Sequence, residues 1–204
     1  MKSFTIKDGW LSPAIRDVIE GGSPMETRRL VVEHFTGGAT AKSSISAMRQ
    51  RGVSAHIVVD RDGTVYQCRP FNKTAGHAGV SRWIDPVTGK KFVGCNAFSI
   101  GIEIANAGDD SGALARARKQ HGFSTIHAKH PNGSSVREWE SFYPVQIEAV
   151  TAITKLLCET YKLDDVSGHE NIAPERKNDP GPAFPMLKIR EACGFKGLPV
   201  THKP

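Results

Sequence analysis

Hydrophobic and polar positions along this chain repeat on two different periods, and the changes of period divide it into elements. Leu30-Val31-Val32-Glu33-His34-Phe35 is a β-rich run halted by Gly37-Gly38 and reads as a buried strand. Ala41 to Arg51 follows as a short helix, closed by Gly52, a residue suited to a helix C-terminus. Ala55 to Asp60 and Thr64 to Arg69 flank Arg61-Asp62-Gly63, and a DG pair between apolar runs predicts a hairpin. Ser99 to Asn106 (SIGIEIAN) alternates most cleanly. Its Ile100, Ile102 and Ile104 point to one face, and Ser99, Gly101, Glu103 and Ala105 to the other. Pro144 opens a helix reaching Tyr161, with Val150, Ile153, Leu157 and Tyr161 on one side. A short strand around Val166 and a terminal helix from Met186 to Cys193 complete the regular pattern.

The stretches between lack either period. Residues 1–28 are turn-rich and read as an irregular lead-in, and 71–96 as a long surface excursion. Residues 107–141 are polar and rich in Gly, Ser, His and Arg; they read as an inserted loop with some helix around Gly112 to Lys119. Residues 194–204 form a frayed tail. Strands interleaved with helices predict one α/β sheet domain spanning 1–204, with functional groups where strand ends meet loops.

Composition narrows the picture only slightly. Hydrophobic content of 39% and charged content of 24% are those of a soluble globular chain. A net charge of +6 favours polyanionic partners, yet no block of like charges, basic stripe or aromatic platform marks a nucleic-acid binder. Cys68, Cys95, Cys158 and Cys193 form no CxxC pair and read as free thiols. No stretch has the length of a signal-peptide core or a membrane span, so a cytoplasmic, soluble, monomeric protein without membrane insertion is expected.

Three places offer metal ligands or acid–base groups. His34 ends an apolar strand just before a Gly-Gly break; a structural histidine is the alternative. Glu103 stands alone among residues with almost no side chain, which leaves room beside it for substrate or water; a solvated outer face is the alternative. The proline-bound stretch from Gly168 to Pro182 presents His169, Lys177 and Asp179 within eleven residues, or is a charged surface loop. Two histidines with one carboxylate form a common catalytic zinc set.

The pieces VVEHF, SAHIVVDRDGTV, HAGVS, CNAFSIGIEI and GHENIAPERKNDPGPAF, in that order, resemble the type 2 N-acetylmuramoyl-L-alanine amidases. The resemblance is strongest to the branch of cytoplasmic anhydro-muropeptide amidases and phage lysins. It runs from about Leu30 to Phe184, interrupted by 107–141. It implies a mixed sheet of about six strands flanked by helices, and one zinc ion held by His34, His169 and Asp179. It further implies that Glu103 is the general base, with Lys177 balancing the developing oxyanion. The substrate implied is peptidoglycan or a muropeptide, cut between N-acetylmuramic acid and L-alanine.

The chain departs from its relatives in places. Ala55 fills a slot where some carry a catalytic tyrosine, and Gly94 one where the recycling enzymes carry arginine. His77, between glycines, is expected to touch substrate, with Asn96 and Arg82 as further saccharide or peptide contacts. His56 is assigned to packing or to support of the site. His121, His127 and His130 belong to the insertion, read as a solvated loop in preference to a second metal site. The insertion, the basic surface and the PGPAFPM ending favour a lysin acting on polymeric wall after release through a holin-type pore. The alternatives are a recycling enzyme for 1,6-anhydro-muropeptides and a non-catalytic wall-binding module.

Overall fold

The computed structural model describes residues 3–201; the extreme ends of the expected lead-in and tail lie outside them. A hairpin of β1 (Thr5–Lys7) and β2 (Trp10–Ser12) leads to the short strand β3 (Ile15–Arg16), then β4 (Leu30–Phe35) and helix α1 (Ala41–Arg51). The hairpin β5 (Ile57–Val59) and β6 (Val65–Gln67) follows, then β7 (Arg82–Ile84), β8 (Lys91–Val93) and β9 (Ser99–Ile104). After β9 come α2 (Ser111–Gln120), β10 (Thr125–Lys129), β11 (Val136–Glu140) and the long α3 (Pro144–Tyr161). The strand β12 (Asp165–Gly168) runs into a single turn, α4 (His169–Ile172), and α5 (Met186–Ala192) closes the regular structure.

Six strands form one mixed sheet in the order β12-β4-β9-β5-β6-β3. Neighbours are parallel except β5 and β6, which the DG turn joins as an antiparallel hairpin. The side-chain period of two gives this sheet two faces. Val31, Ile57, Val59 and the three isoleucines of β9 face α3, meeting Val150, Ile153 and Leu157 in the main core. Glu33 shares that face: wholly buried, it accepts a hydrogen bond from the Thr154 hydroxyl at 2.8 Å. On the opposite face α1 lays Ala41, Ile45 and Met48 against Val58 and Tyr66. The Thr40 side chain caps its first turn, and Gly52 ends it in the left-handed conformation at φ 66°.

Several irregular stretches prove to be structured. The lead-in supplies a hairpin and the edge strand β3, and 71–96 contains the β7–β8 hairpin. The insertion holds α2 and a five-residue antiparallel ladder of β10 with β11. It is anchored by Glu140, which is buried, pairs with Arg61, and accepts a hydrogen bond from the Ala107 amide at 2.6 Å. The tail is tied back as well: Arg190 donates to the Gly197 carbonyl at 2.7 Å, and Asn171 to the Thr201 hydroxyl at 2.6 Å.

Candidate active site

The site lies on the α1 face, at the ends of β4, β9 and β12. Even-numbered positions of β4 and odd-numbered positions of β9 share this face. The parallel register therefore sets His34 beside Glu103 on neighbouring strands. β12 ends at Gly168, and the turn of α4 begins with His169. Asn171 steadies that turn by accepting a hydrogen bond from the Gly168 amide at 2.9 Å. The proline-rich loop then returns Asp179 between the two imidazoles.

Asp179 Oδ2 lies 2.8 Å from His34 Nδ1 and 3.1 Å from His169 Nδ1. The two rings meet edge to face with centroids 4.5 Å apart. All three side chains are buried, and their ligand atoms fall within 4.8 Å of one another, the one such group among the described residues. His169 Nε2 faces the Ala78 carbonyl at 3.1 Å, an acceptor only, so this nitrogen donates. Two imidazole nitrogens and a carboxylate oxygen that converge in a buried pocket are a donor set that fits zinc.

Electrostatics agree with that fit. Burial, reinforced by the neighbouring His169, pushes the His34 pKa down to about 4, which keeps its imidazole neutral. Burial alone would raise the Asp179 carboxyl, but hydrogen bonds from His169 and His34 outweigh it and hold the group below the usual carboxylate range. Glu103 behaves in the opposite way. Burial, then the nearby Asp179 charge, raises its pKa well above the usual range, with Lys177 opposing. Its Oε2 is buried and has no hydrogen-bond partner.

These groups open into a cavity of about 880 Å3, lined also by Lys177, Asn178, Thr40 and Ser43. The structure thus brings His34, His169, Asp179, Glu103 and Lys177 together, and His77 with them. His77 lines this cavity, and its ring also packs against β9. The space over Gly101 is filled by the His77 ring: a Cβ on Gly101 would lie 2.4 Å from its Cγ. His77 Nδ1 lies 3.0 Å from His34 Nε2, so it buttresses the His34 ring from behind.

Asn96 is turned away from this cavity, its Oδ1 accepting from the His77 and Ala78 amides at 3.0 and 2.7 Å. It fixes the loop that carries His77 and lines a second cavity of about 670 Å3. Arg82 is on β7 and pairs with Glu175, outside the main cavity. His56 is a packing residue. Its Nδ1 accepts from the Gly101 amide at 3.0 Å and its Nε2 donates to the Lys73 carbonyl at 2.9 Å. His130 is buried rather than solvated, stacked on Trp139 and 2.5 Å from Glu170. The sequence reading missed the cavity residues Arg51, Arg116 and Gln120, for which a helical stripe facing the site is the only signal.

The sequence profile of the N-acetylmuramoyl-L-alanine amidase family (Amidase_2) matches residues 24–182, a span that holds every residue of this cluster. The chain belongs to this family. Among curated amidases, it is 36% identical over 140 residues to the 1,6-anhydro-N-acetylmuramyl-L-alanine amidase AmpD of Salmonella typhimurium (strain SL1344). That match covers 68% of the chain and 56% of the relative, so the chain spans about half the length of the curated amidase. Among solved amidase structures, an AmpD derivative superposes with a TM-score of 0.62 at 28% identity, covering 92% of this chain and 98% of the other. The amidase AmiD of E. coli, solved with anhydro-N-acetylmuramic acid-L-Ala-D-γ-Glu-L-Lys, gives a TM-score of 0.62 at 25% identity over 97% and 68%.

Proposed function

We propose that this protein is a zinc-dependent amidase that hydrolyses the bond between the lactyl group of 1,6-anhydro-N-acetylmuramic acid and L-alanine in soluble muropeptides. The convergence of His34, His169 and Asp179 beside the unpartnered carboxyl of Glu103 carries the reading. The anhydro-muropeptide specificity is supported by the AmpD and AmiD relatives. The lysin reading has less behind it: it leaned on the insertion, the basic surface and the PGPAFPM ending, whereas the curated AmpD relatives are named as anhydro-muropeptide amidases.

His34, His169 and Asp179 would hold the zinc, which supplies Lewis-acid activation of water and of a carbonyl near neutral pH. The remaining work falls to the chain's own groups. Glu103 Oε2 takes a proton from the attacking water and returns it to the departing L-alanine nitrogen. A carboxyl with a raised pKa suits both halves of that task. Lys177, which lines the cavity, balances the charge that develops on the lactyl oxygen, a contribution of about 3–4 kcal/mol for a well-placed donor. His77 and the Ala78 carbonyl fix the rings of His34 and His169, so the ligand atoms are set before metal arrives.

The test is to offer the zinc-loaded protein purified sacculi and, separately, the soluble anhydro-muropeptide, reading products by mass spectrometry. The expected result is release of anhydro-N-acetylmuramic acid and an L-alanine-headed peptide from the soluble substrate, with little release from sacculi. Efficient cleavage of sacculi alone would restore the lysin reading, and cleavage of neither would remove the amidase assignment.

A further inference from the structure

The insertion is docked at both its ends and its middle onto the parts of the fold that make the site. Asp109 accepts a hydrogen bond from Asn178, the neighbour of Asp179, at 2.8 Å. His130 reaches Glu170, and Asn132 donates to the Glu170 carbonyl at 3.0 Å. Trp139 is buried against Gly181, where a Cβ would lie 2.7 Å from the ring. Helix α2 is therefore held in place, and it rests on Ala113, Leu114 and Ala117.

Its outward stripe faces the cavity. Arg116 and Gln120 stand at i and i+4, one side of the helix, and both line the cavity that holds Glu103 and Asp179. Four cationic side chains line that cavity: Arg51, Arg116, Arg176 and Lys177. Arg176 is already engaged, donating to the carbonyls of Ala78 and Val80. Lys177 belongs to the reaction. Arg51 and Arg116 make no ion pair or side-chain hydrogen bond among the described residues. Other exposed arginines do find partners: Arg118, two positions along α2, pairs with Glu138, and Arg137 with Asp109.

A guanidinium left open on a cavity wall, above a site of net positive rim, suits a planar anion approached from solvent. A muropeptide supplies such anions. Its γ-linked glutamate keeps a free α-carboxylate, and its last residue a terminal one.

We infer that the 107–141 insertion is a wall of the substrate cavity, with Arg116 as a specificity residue that pairs with a carboxylate of the stem peptide. This rests on the amidase reading for the identity of the ligand.

The experiment measures binding and cleavage separately. Calorimetry on zinc-loaded Glu103→Gln protein compares anhydro-N-acetylmuramyl-L-Ala-γ-D-Glu-L-Lys with two analogues, one amidated at the glutamate α-carboxyl and one at the terminal carboxyl. The expected result is about three- to tenfold weaker binding of one analogue, which identifies the carboxylate. Arg116→Gln in the same background removes that difference and leaves the weaker analogue's affinity unchanged. Lys119→Gln deletes the same charge from the same helix but outside the cavity, and keeps the difference. Equal binding of all three ligands, or parallel weakening of all three by Arg116→Gln, would overturn the inference. Cleavage of the parent compound by the unsubstituted protein is followed alongside. Cleavage without carboxylate preference refutes the role of Arg116 alone, and carboxylate preference without cleavage refutes the amidase reading alone.

Discussion

Gly101→Ala is a one-carbon change that tests whether His77 supports the zinc site. The added Cβ would lie 2.4, 2.6 and 2.7 Å from Cγ, Nδ1 and Cδ2 of His77, closer than carbon atoms approach, so the ring must move. Moving it breaks the 3.0 Å contact between His77 Nδ1 and His34 Nε2. Overpacking of this kind costs about 1–3 kcal/mol. Loss of the outer partner of a metal-binding histidine lowers affinity by about 10–100-fold. His77→Ala should lower zinc affinity by a similar factor without overpacking. In the double variant the methyl group enters the space the ring vacates. Its stability cost should then fall short of the sum of the single costs by at least about 1 kcal/mol. Urea denaturation of the chelated proteins gives the stabilities, and competition with a chromophoric chelator gives zinc affinity. Additive stability changes, or unaltered zinc affinity in Gly101→Ala, would refute the reasoning.

Three further predictions concern other links. Glu140→Ala leaves the buried Arg61 guanidinium without its carboxylate and should destabilise the protein by about 3–5 kcal/mol in urea denaturation. Lys177→Ala should lower kcat on the anhydro-muropeptide by about 10²–10³ with little change in KM, because its charge is needed as the oxyanion forms. Burial holds the His56 pKa down at about 4, so between there and the unfolded value near 6.5 the unfolded chain binds the extra proton. Stability is therefore retained above pH 6.5 and lost as pH falls toward 4. His56→Gln should flatten that slope by about 2–3 kcal/mol over the window, read from denaturation midpoints at a series of pH values.

How much of this was legible in the sequence depends on where the stabilising contacts come from. β9 could be read because its isoleucines occupy every second position and all face one core. The ends of α1 and α3 could be read because Gly52 and Pro144 act locally. The β10–β11 hairpin could not. TIHAK is mostly exposed, and in VREWE the buried Trp139 and Glu140 pack on Gly181 and pair with Arg61, partners far away in the chain. β3 has two residues and owes its place to its parallel neighbour β6, which is distant in the chain. In the site, His34 and Glu103 were visible as polar residues within largely apolar strands. That His77 fills the space over Gly101 was hidden, since the pattern shows that Gly101 is small but not what fills the gap. Arg116 was hidden because an exposed arginine looks the same whether it faces bulk water or a cavity.

The most direct measurement titrates zinc into metal-free protein while following cleavage of the soluble anhydro-muropeptide, in parallel with Glu103→Gln. The account predicts that activity rises to a plateau at one equivalent of zinc. Glu103→Gln should bind the same equivalent yet cleave about 10²–10⁴-fold more slowly. Full activity in the metal-free protein, or cleavage by Glu103→Gln at the unsubstituted rate, would contradict it.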